Sequence, residues 1–186
     1  MKLLSLGLCA LLLLAACVTR RQDHFYVLDP QPAAIAESRS QFDRQVTLSI
    51  TVASLVDRDE MVIATTSGVA VMDHERWAAP LADLVAASLS QDLERRRGDV
   101  VVLPKSAGIA GIPTVRVRVE IDQVIARLGD HLKMETHWRV TDPRTGKETL
   151  GRDAFVSPQQ PQNYAEVAAA LSACVALLAD RLAGEI

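Results

Sequence analysis

Two stretches in the second half of the chain alternate strictly between apolar and polar side chains. Residues 115–122 carry valine or isoleucine at every odd position and a charged side chain at every even position. Residues 132–140 repeat the pattern, with Leu, Met, Thr, Trp and Val alternating with Lys, Glu, His and Arg. Because neighbouring side chains of a strand point to opposite faces, this period of two predicts two long strands of a half-buried sheet. One face of the sheet must be ionic, and the other must be covered by further elements.

A two-residue turn at 129–130, with glycine first as a type II′ turn prefers, is predicted to join these strands as a hairpin. This turn fixes a register in which opposite charges face each other on one side of the sheet. The predicted cross-strand pairs are Glu120 with Arg139, Asp122 with His137, and Ile121 with Trp138. Pairs of this kind contribute roughly 0.2–1 kcal/mol each, which favours the register.

The remaining periodic segments predict shorter strands and two amphipathic helices. The strands are expected at 25–28, 46–53, 61–65, 69–72, 100–103 and 148–156. One helix begins at Trp77 or Pro80 and ends at Arg96, with Asp73-His74-Glu75 as its polar lead-in, and the other runs from its N-cap Asn163 to Leu182. Together they predict an α+β fold in which two helices pack on one face of an antiparallel β-sheet.

The N-terminus has the layout of a bacterial lipoprotein signal. Lys2 precedes an uncharged stretch from Leu3 to Leu14, and Ala15-Ala16 leads into Cys17. The apolar run is too short for a membrane span, which needs roughly 17–25 residues. We expect cleavage before Cys17 and acylation of its thiol; a plain secretory signal cleaved elsewhere is the alternative. The predicted divisions are therefore 1–16 signal peptide, 17–24 lipidated tether and 25–186 folded domain.

The residue after the cysteine predicts the destination of the lipoprotein. Val18 stands where the aspartate that retains lipoproteins in the inner membrane would be. We therefore expect Cys17 to carry diacylglycerol and an N-acyl chain in the outer membrane, with the domain facing the periplasm. Several acyl chains together hold a protein firmly, whereas a single chain holds it only marginally.

Charge and cysteine content narrow the partners and the chemistry. The chain has a formal net charge of −3, and loss of Lys2 with the signal peptide makes it −4, so no nucleic-acid partner is predicted. Beyond Cys17 the only cysteine is Cys174, which cannot form an internal disulfide. It falls on the apolar stripe of the last predicted helix, which indicates a buried small hydrophobe.

No motif for catalysis or cofactor binding is found in the chain. His131, Glu135 and His137 share one face of a predicted strand, which suggests metal ligands. However, residues six apart on a strand are separated by about 20 Å, so one ion cannot bind both histidines. We predict neither an enzyme nor a metal site, and no cofactor apart from the lipid on Cys17.

Several segments together resemble the PqiC-like family of auxiliary lipoproteins of MCE-type ABC lipid transporters. Phe25-Tyr26-Val27-Leu28-Asp29 is similar to the opening "YYLLD" strand of that family, and Met61 to Thr65 is similar to its "IV.R" segment. Arg76-Trp77-Ala78-Ala79-Pro80-Leu81 is close to its "RWAEPL" signature, with Ala79 in place of glutamate. The strand around Trp138 and the alanine-rich helix from Tyr164 complete a resemblance that covers nearly all of the mature chain.

The resemblance implies a non-enzymatic accessory subunit of an intermembrane phospholipid transport system that supports membrane integrity. Its implied partners are an MCE-domain protein with its inner-membrane permease and ATPase, and a homo-oligomer is left open. Arg76, Trp77 and Pro80 are the candidate partner-binding residues, with Trp77 interpreted either as a partner anchor or as part of the core. The alternative functions are a general outer-membrane assembly or pilotin-type lipoprotein and a periplasmic lipid carrier.

Overall fold

A computed structural model of the protein describes residues 22–32, 44–103 and 114–186. These residues form strands and helices in an α+β arrangement, so the predicted fold class is confirmed. In chain order the elements are β1 His24–Tyr26, β2 Arg44–Val52, β3 Glu60–Thr65, β4 Gly68–Trp77, α1 Leu81–Arg96, β5 Val100–Leu103, β6 Thr114–Ile125, β7 Lys133–Asp142, β8 Lys147–Val156 and α2 Tyr164–Ala183.

The strands form two mixed sheets, so the prediction of a purely antiparallel sheet is wrong. The larger sheet has the order β5-β2-β6-β7-β8, and the smaller one has the order β1-β4-β3. β2 pairs in parallel with both β5 and β6, and β1 pairs in parallel with β4. Parallel neighbours need a long crossover connection, and here β3, β4 and α1 all lie between β2 and β5 in the chain. Side-chain alternation is the same in both kinds of pairing, so it could not distinguish them.

The β6–β7 hairpin has a different register from the predicted one. Val119, rather than Ile121, lies opposite Trp138, and Arg118 lies opposite Arg139. The connection spans 126–132 instead of a two-residue turn, and Gly129 donates its backbone N–H to the carbonyl of Pro161 at 2.8 Å. The error is a shift of two residues, which keeps every side chain on its predicted face.

One predicted side-chain contact of this hairpin is present although the register differs from the predicted one. The pairing shifts between Ile121 and Gln123, where β6 is irregular. There the Asp122 carboxylate lies 2.5 Å from His137 Nδ1, so these two side chains meet as predicted although they are not directly opposite.

Both helices pack on the apolar face of the five-stranded sheet, as predicted. Burying a large aliphatic side chain stabilises a fold by about 1.5–3 kcal/mol relative to leaving it exposed. The fully buried side chains of this core include Val85, Leu89, Leu93, Leu171, Val175 and Leu178 from the helices and Val46, Val117, Ile121 and Met134 from the strands. The opposite face of the sheet carries the charged side chains of β6, β7 and β8.

The N-termini of the two helices are capped differently. Helix α2 is capped by Asn163, whose side-chain oxygen accepts the backbone N–H of Glu166 at 3.0 Å, which confirms the predicted N-cap. Helix α1 has Pro80 at its N-cap and no side-chain cap. Residues 73–75, predicted as a polar lead-in, belong instead to β4, because β1 pairs with this part of the strand.

A glycine in β8 makes room for the larger tryptophan of the neighbouring strand. Gly151 lies opposite Trp138, and a Cβ atom added to it would lie 2.1 Å from the indole ring. The indole nitrogen donates to Asp153 at 2.6 Å, and the Arg181 guanidinium of α2 lies 4.9 Å from the ring centroid. Trp138 therefore joins the sheet to α2.

Candidate functional site

The predicted lipidation site, Cys17, lies outside the described residues, and its modification stays a prediction. The described part of the chain begins at Gln22, and β1 begins two residues later. His24, the last residue of the tether predicted at 17–24, is thus the first residue of a strand in the smaller sheet. No helix within the described stretches is long and apolar enough to cross a membrane.

The three predicted partner-binding residues do not form one surface. Trp77 is only 7% exposed and packs in the core beside Met61 and Leu81 around a cavity of about 20 Å³. Arg76 is partly exposed, while Pro80 is exposed at the start of α1. The structure therefore agrees with the interpretation of Trp77 as a core residue and leaves Arg76 and Pro80 accessible for a contact.

Arg76 belongs to a polar cluster that holds β1 against β4, which we call the β1–β4 cluster. His24 Nδ1 lies 3.2 Å from a carboxylate oxygen of Glu75, and the hydroxyl of Tyr26 donates to the other at 2.6 Å. The further contacts are His74 Nδ1 with Asp23 at 2.9 Å, Arg76 with Asp23 at 3.6 Å and Arg76 with Glu60 at 3.3 Å. The short strand β1 is thus fixed by side chains as well as by its ladder.

Two groups of the β1–β4 cluster have shifted pKa values. Burial, together with the hydrogen bond to Glu75, raises the pKa of Tyr26 to about 12. A backbone hydrogen bond and the guanidinium of Arg58 lower the pKa of Glu60. Sequence reasoning missed this cluster, because most of its acids and bases lie about fifty positions apart and meet through the parallel pairing of β1 with β4. Glu60 reaches Arg76 through the antiparallel pairing of β3 with β4.

The segment that follows β1 crosses both helices and is held by polar groups buried between them. The backbone N–H of Asp29 donates to the Ser172 hydroxyl at 3.1 Å, and that of Gln31 donates to the Asp92 carboxylate at 3.1 Å. Burial raises the pKa of Asp92, although Arg96, at 3.2 Å, opposes this shift. These bonds join the N-terminal segment to the core.

Among the described residues, the face of the five-stranded sheet opposite the helices forms a groove of about 840 Å³. We call it the open sheet face. Arg118 lies directly opposite Arg139, and in the next row Glu120 lies opposite His137, which lies opposite Arg152. Ion pairs balance part of this charge, with Arg139 3.0 Å from Glu148 and Arg152 3.6 Å from Glu135. The predicted ionic face is therefore present, with Leu150 as an exposed aliphatic side chain beside it.

The histidines considered as metal ligands have separate partners. His131 precedes β7 and its Nδ1 lies 2.7 Å from the carbonyl of Ser157, while His137 contacts Asp122. Glu135 accepts from Lys133 at 2.6 Å, and this ion pair lowers the pKa of the carboxyl. In the part of the chain that the structure describes, no three His, Cys, Asp or Glu side chains gather as metal ligands would.

Cys174 is a buried residue of α2, as predicted. Its side chain is fully buried, and burial raises the pKa of the thiol to about 12. The sulfur lies 3.8 Å from the carbonyl oxygen of Phe155. A thiol that stays protonated and inaccessible is not a nucleophile at neutral pH.

Comparison with solved structures places this fold among known ones. An uncharacterized protein superposes with a TM-score of 0.71 at 16% identity, covering 88% of this chain and 98% of that chain. Protein XCC0632 from Xanthomonas campestris superposes with a TM-score of 0.61 at 14% identity, covering 88% and 93% of the two chains. At these identities the similarity concerns the fold alone. No curated protein sequence matches the chain.

The sequence profile of one protein family matches residues 26–183, which is most of the chain. The family is described as the ABC-type transport auxiliary lipoprotein component. The match begins in β1 and ends at the last residue of α2, so it covers both sheets and both helices. The resemblance seen in the segments from Phe25 and Arg76 is therefore confirmed, and the chain belongs to the family of ABC-type transport auxiliary lipoproteins.

Proposed function

We propose that this protein is a non-enzymatic accessory subunit of an MCE/ABC-type system that moves phospholipid between the membranes and supports membrane integrity. In this proposal Cys17 carries the lipid anchor, and the domain faces the periplasm from the outer membrane. The observation that carries the proposal is the family match over 26–183 in a chain whose N-terminus has the layout of a lipoprotein signal. The partners are an MCE-domain protein and the associated permease and ATPase.

The arrangement of the N-terminal segment supports a role for the anchor. Cys17 lies seven positions before His24, where β1 begins. The β1–β4 cluster and the contacts of Asp29 and Gln31 then join this segment firmly to the domain. A domain attached in this way stays within about 25 Å of the bilayer surface, since an extended residue spans at most about 3.6 Å. The lipid therefore sets the position of the domain as well as its compartment.

The cavities give little support to the alternative of a lipid carrier. Acyl chains require an apolar lining, whereas the groove of about 840 Å³ is lined mostly by polar and charged residues, among them three arginines and His137. The cavity beside Trp77 is apolar but only about 20 Å³ in volume. Native mass spectrometry of the delipidated domain distinguishes the two functions, because a carrier retains stoichiometric phospholipid and an accessory subunit does not.

Two adjacent substitutions test the anchor and its destination. Cys17→Ala should leave a folded domain that no longer fractionates with membranes and fails to complement a deletion strain in a detergent-sensitivity assay. Val18→Asp is the matched variant, because it keeps the lipidated cysteine and is expected to move the protein to the inner membrane. Full complementation by the Cys17→Ala form would overturn the tethering function.

The transport partner is tested by site-specific photo-crosslinking. A crosslinker at the exposed Pro80 should capture the MCE-domain protein, and one at Leu177, an exposed side chain of α2, serves as the control position. Capture of a secretion or outer-membrane assembly component instead would favour the pilotin-type function. Capture of the same partner from both positions would exclude a specific contact at Pro80.

A further inference from the structure

The direction of β1 determines where the predicted tether leaves the domain. β1 runs parallel to β4, with His24 opposite Glu75, so positions that differ by 51 lie at the same level. The chain before His24 therefore heads toward the start of β4, where a tight turn joins it to β3. Cys17 lies seven positions before His24, and Gly68 lies seven positions before Glu75, so a tether of this length is long enough to reach that turn. Seven residues span at most about 25 Å, so the lipid cannot lie much beyond the turn.

This part of the domain exposes aliphatic side chains, and we call it the hairpin end: the turn 65–68, with Leu55, Val69 and Val71. Val69 is 55% exposed, Leu55 54% and Val71 38%. Val69 and Val71 share one face of β4, opposite Ala64 and Val62 of β3. Such grouped exposure differs from the single apolar residues that are scattered over any protein surface.

The hairpin end continues into a shallow apolar groove of about 120 Å³ between the two sheets. The groove is lined by Leu55, Val62, Ala64, Val69, Val124 and Ile125, among others. The turn itself, Thr65-Thr66-Ser67-Gly68, has no charged side chain, and Arg127 reaches it through a guanidinium contact of 3.5 Å with the Thr65 carbonyl. Along β4 the exposed aliphatic face stops at Asp73. Aliphatic groups beside a cation suit the boundary between phospholipid head groups and acyl chains.

We propose that the hairpin end is a membrane-contacting surface, with Leu55, Val69 and Val71 set among the head groups of the bilayer that holds the Cys17 lipid. The inference rests on the proposed anchoring through Cys17, because that anchor brings a bilayer to this end of the molecule. A second contact of this kind fixes the orientation of the domain, which a flexible lipid tether alone would leave free. The open sheet face and the C-terminal ends of both helices are then available to periplasmic partners.

A fluorescent probe at Val69 tests this contact in the lipidated protein. Cys174 is buried, so Val69→Cys can be labelled selectively with an environment-sensitive dye before reconstitution into vesicles of phosphatidylethanolamine and phosphatidylglycerol. We expect a blue shift of its emission and quenching by nitroxide-labelled lipids. Leu150→Cys is the matched control, because Leu150 is an aliphatic residue that is 62% exposed on the open sheet face, and its probe should show neither effect.

Flotation of the same vesicles separates failure of the anchor from failure of the contact. Protein that does not float with the vesicles overturns the proposed anchoring through Cys17. Protein that floats but responds equally at Val69 and Leu150 overturns the membrane-contacting surface and leaves the anchor intact.

A second variant pair tests whether the aliphatic side chains themselves make the contact. With a probe at Ser67, the Val69→Asp, Val71→Asp double variant should lose the blue shift and the quenching. Leu150→Asp, which adds a charge to an equally exposed site, should keep both. Retention of the signal in the double variant would contradict the inference, provided that the circular dichroism spectrum shows a folded domain.

Discussion

Two hairpin turns of this domain are locally similar but differ in what they leave exposed. The β3–β4 turn and the β7–β8 turn each end with a glycine at positive φ, 145° for Gly68 and 71° for Gly146. The first is uncharged and is followed by the exposed Val69. The second, Asp142-Pro143-Arg144-Thr145-Gly146, is charged, and its Asp142 carboxylate accepts the backbone N–H of Arg144 at 2.8 Å.

The charged turn satisfies its own polar groups. Burial tends to raise the pKa of Asp142, but backbone hydrogen bonds from Arg144 and Thr145 outweigh it and hold the pKa below its usual value. The uncharged turn has no carboxylate acceptor, and its internal side-chain contacts are those of the Thr65 hydroxyl, with the Gly68 carbonyl at 3.2 Å and the Ser67 N–H at 3.4 Å. A charged turn whose polar groups are hydrogen-bonded within the turn is stable in contact with water. Exposed aliphatic side chains, by contrast, are stabilised when an apolar surface outside the chain covers them.

The helix C-termini, far from the hairpin end, are also closed by internal bonds. Arg97, just after α1, pairs with Asp99 through two contacts of 2.9 Å. It also donates to the carbonyls of Ala183 and Ile186 at 2.9 and 2.6 Å, which satisfies the end of α2. The hydrogen bonds with Asp99 raise the pKa of Arg97. The contrast predicts that polar substitutions are tolerated at the hairpin end and that loss of Arg97 is not.

The largest effect on stability is expected for Arg97→Ala. It removes both contacts with the Asp99 carboxylate and takes the Arg97 donor away from the carbonyls of Ala183 and Ile186, so the free energy of unfolding should fall by about 2–3 kcal/mol. Val69→Asp, an exposed change at the hairpin end, should alter it by less than about 0.5 kcal/mol. Urea unfolding of the non-lipidated Cys17→Ala form measures both. Equal losses of unfolding free energy in the two variants would contradict the contrast between the helix C-termini and the hairpin end.

Gly151→Ala tests the packing of Trp138 in the sheet that lies between the hairpin end and the helix C-termini. The new Cβ would overlap the Trp138 ring, so we expect a loss of about 1–3 kcal/mol and a changed tryptophan fluorescence spectrum. Gly184→Ala is the matched control, because its Cβ would meet the nearest atom at an ordinary distance of 3.7 Å. An unchanged spectrum in Gly151→Ala would show that Trp138 is not confined as described.

Tyr26→Phe tests the attachment of β1 to the last residues of β4. It removes the 2.6 Å hydrogen bond to Glu75 and should cost about 1 kcal/mol. The other tyrosine of the chain provides the control, since Tyr164 donates only to the Met72 sulfur, at 3.0 Å, and sulfur is a weak acceptor. Tyr164→Phe should therefore have the smaller effect, and the reverse order would contradict the role of the β1–β4 cluster.

A further effect, confined to alkaline pH, is a dependence of stability on the ionisation of Tyr26. Tyr26 ionises near its ordinary pKa of 10.0 when unfolded but near 12 in the native domain. The unfolded state therefore loses this proton first, and the contribution of Tyr26 is present below pH 10 and lost as the pH rises toward 12. Unfolding of Tyr26→Phe across this range should show a shallower pH dependence than the wild type. Parallel curves would contradict the raised pKa.

Local patterns in the sequence predicted most of the strands and helices but little of how the strands pair with one another. The alternation at 115–122 and 132–140 predicted β6 and β7, and the apolar stripes predicted both helices and the burial of Cys174. The turn at 129–130 was predicted wrongly, because a glycine that suits a type II′ turn also suits the longer loop that contacts Pro161. The β1–β4 cluster carried no local signal, since its residues are brought together by a parallel pairing.

The sequence by itself determined the class of fold, the side of each long strand that is buried and the family resemblance, and it predicts the lipoprotein signal. These properties depend on the order of residues within a few positions, where periodicity and side-chain chemistry act directly. Only the tertiary structure decided that the sheets are mixed, that Trp77 lies in the core, and that β1 runs parallel to β4. Strand order and direction result from competition among many long-range pairings of similar energy, and no short pattern specifies which of them forms.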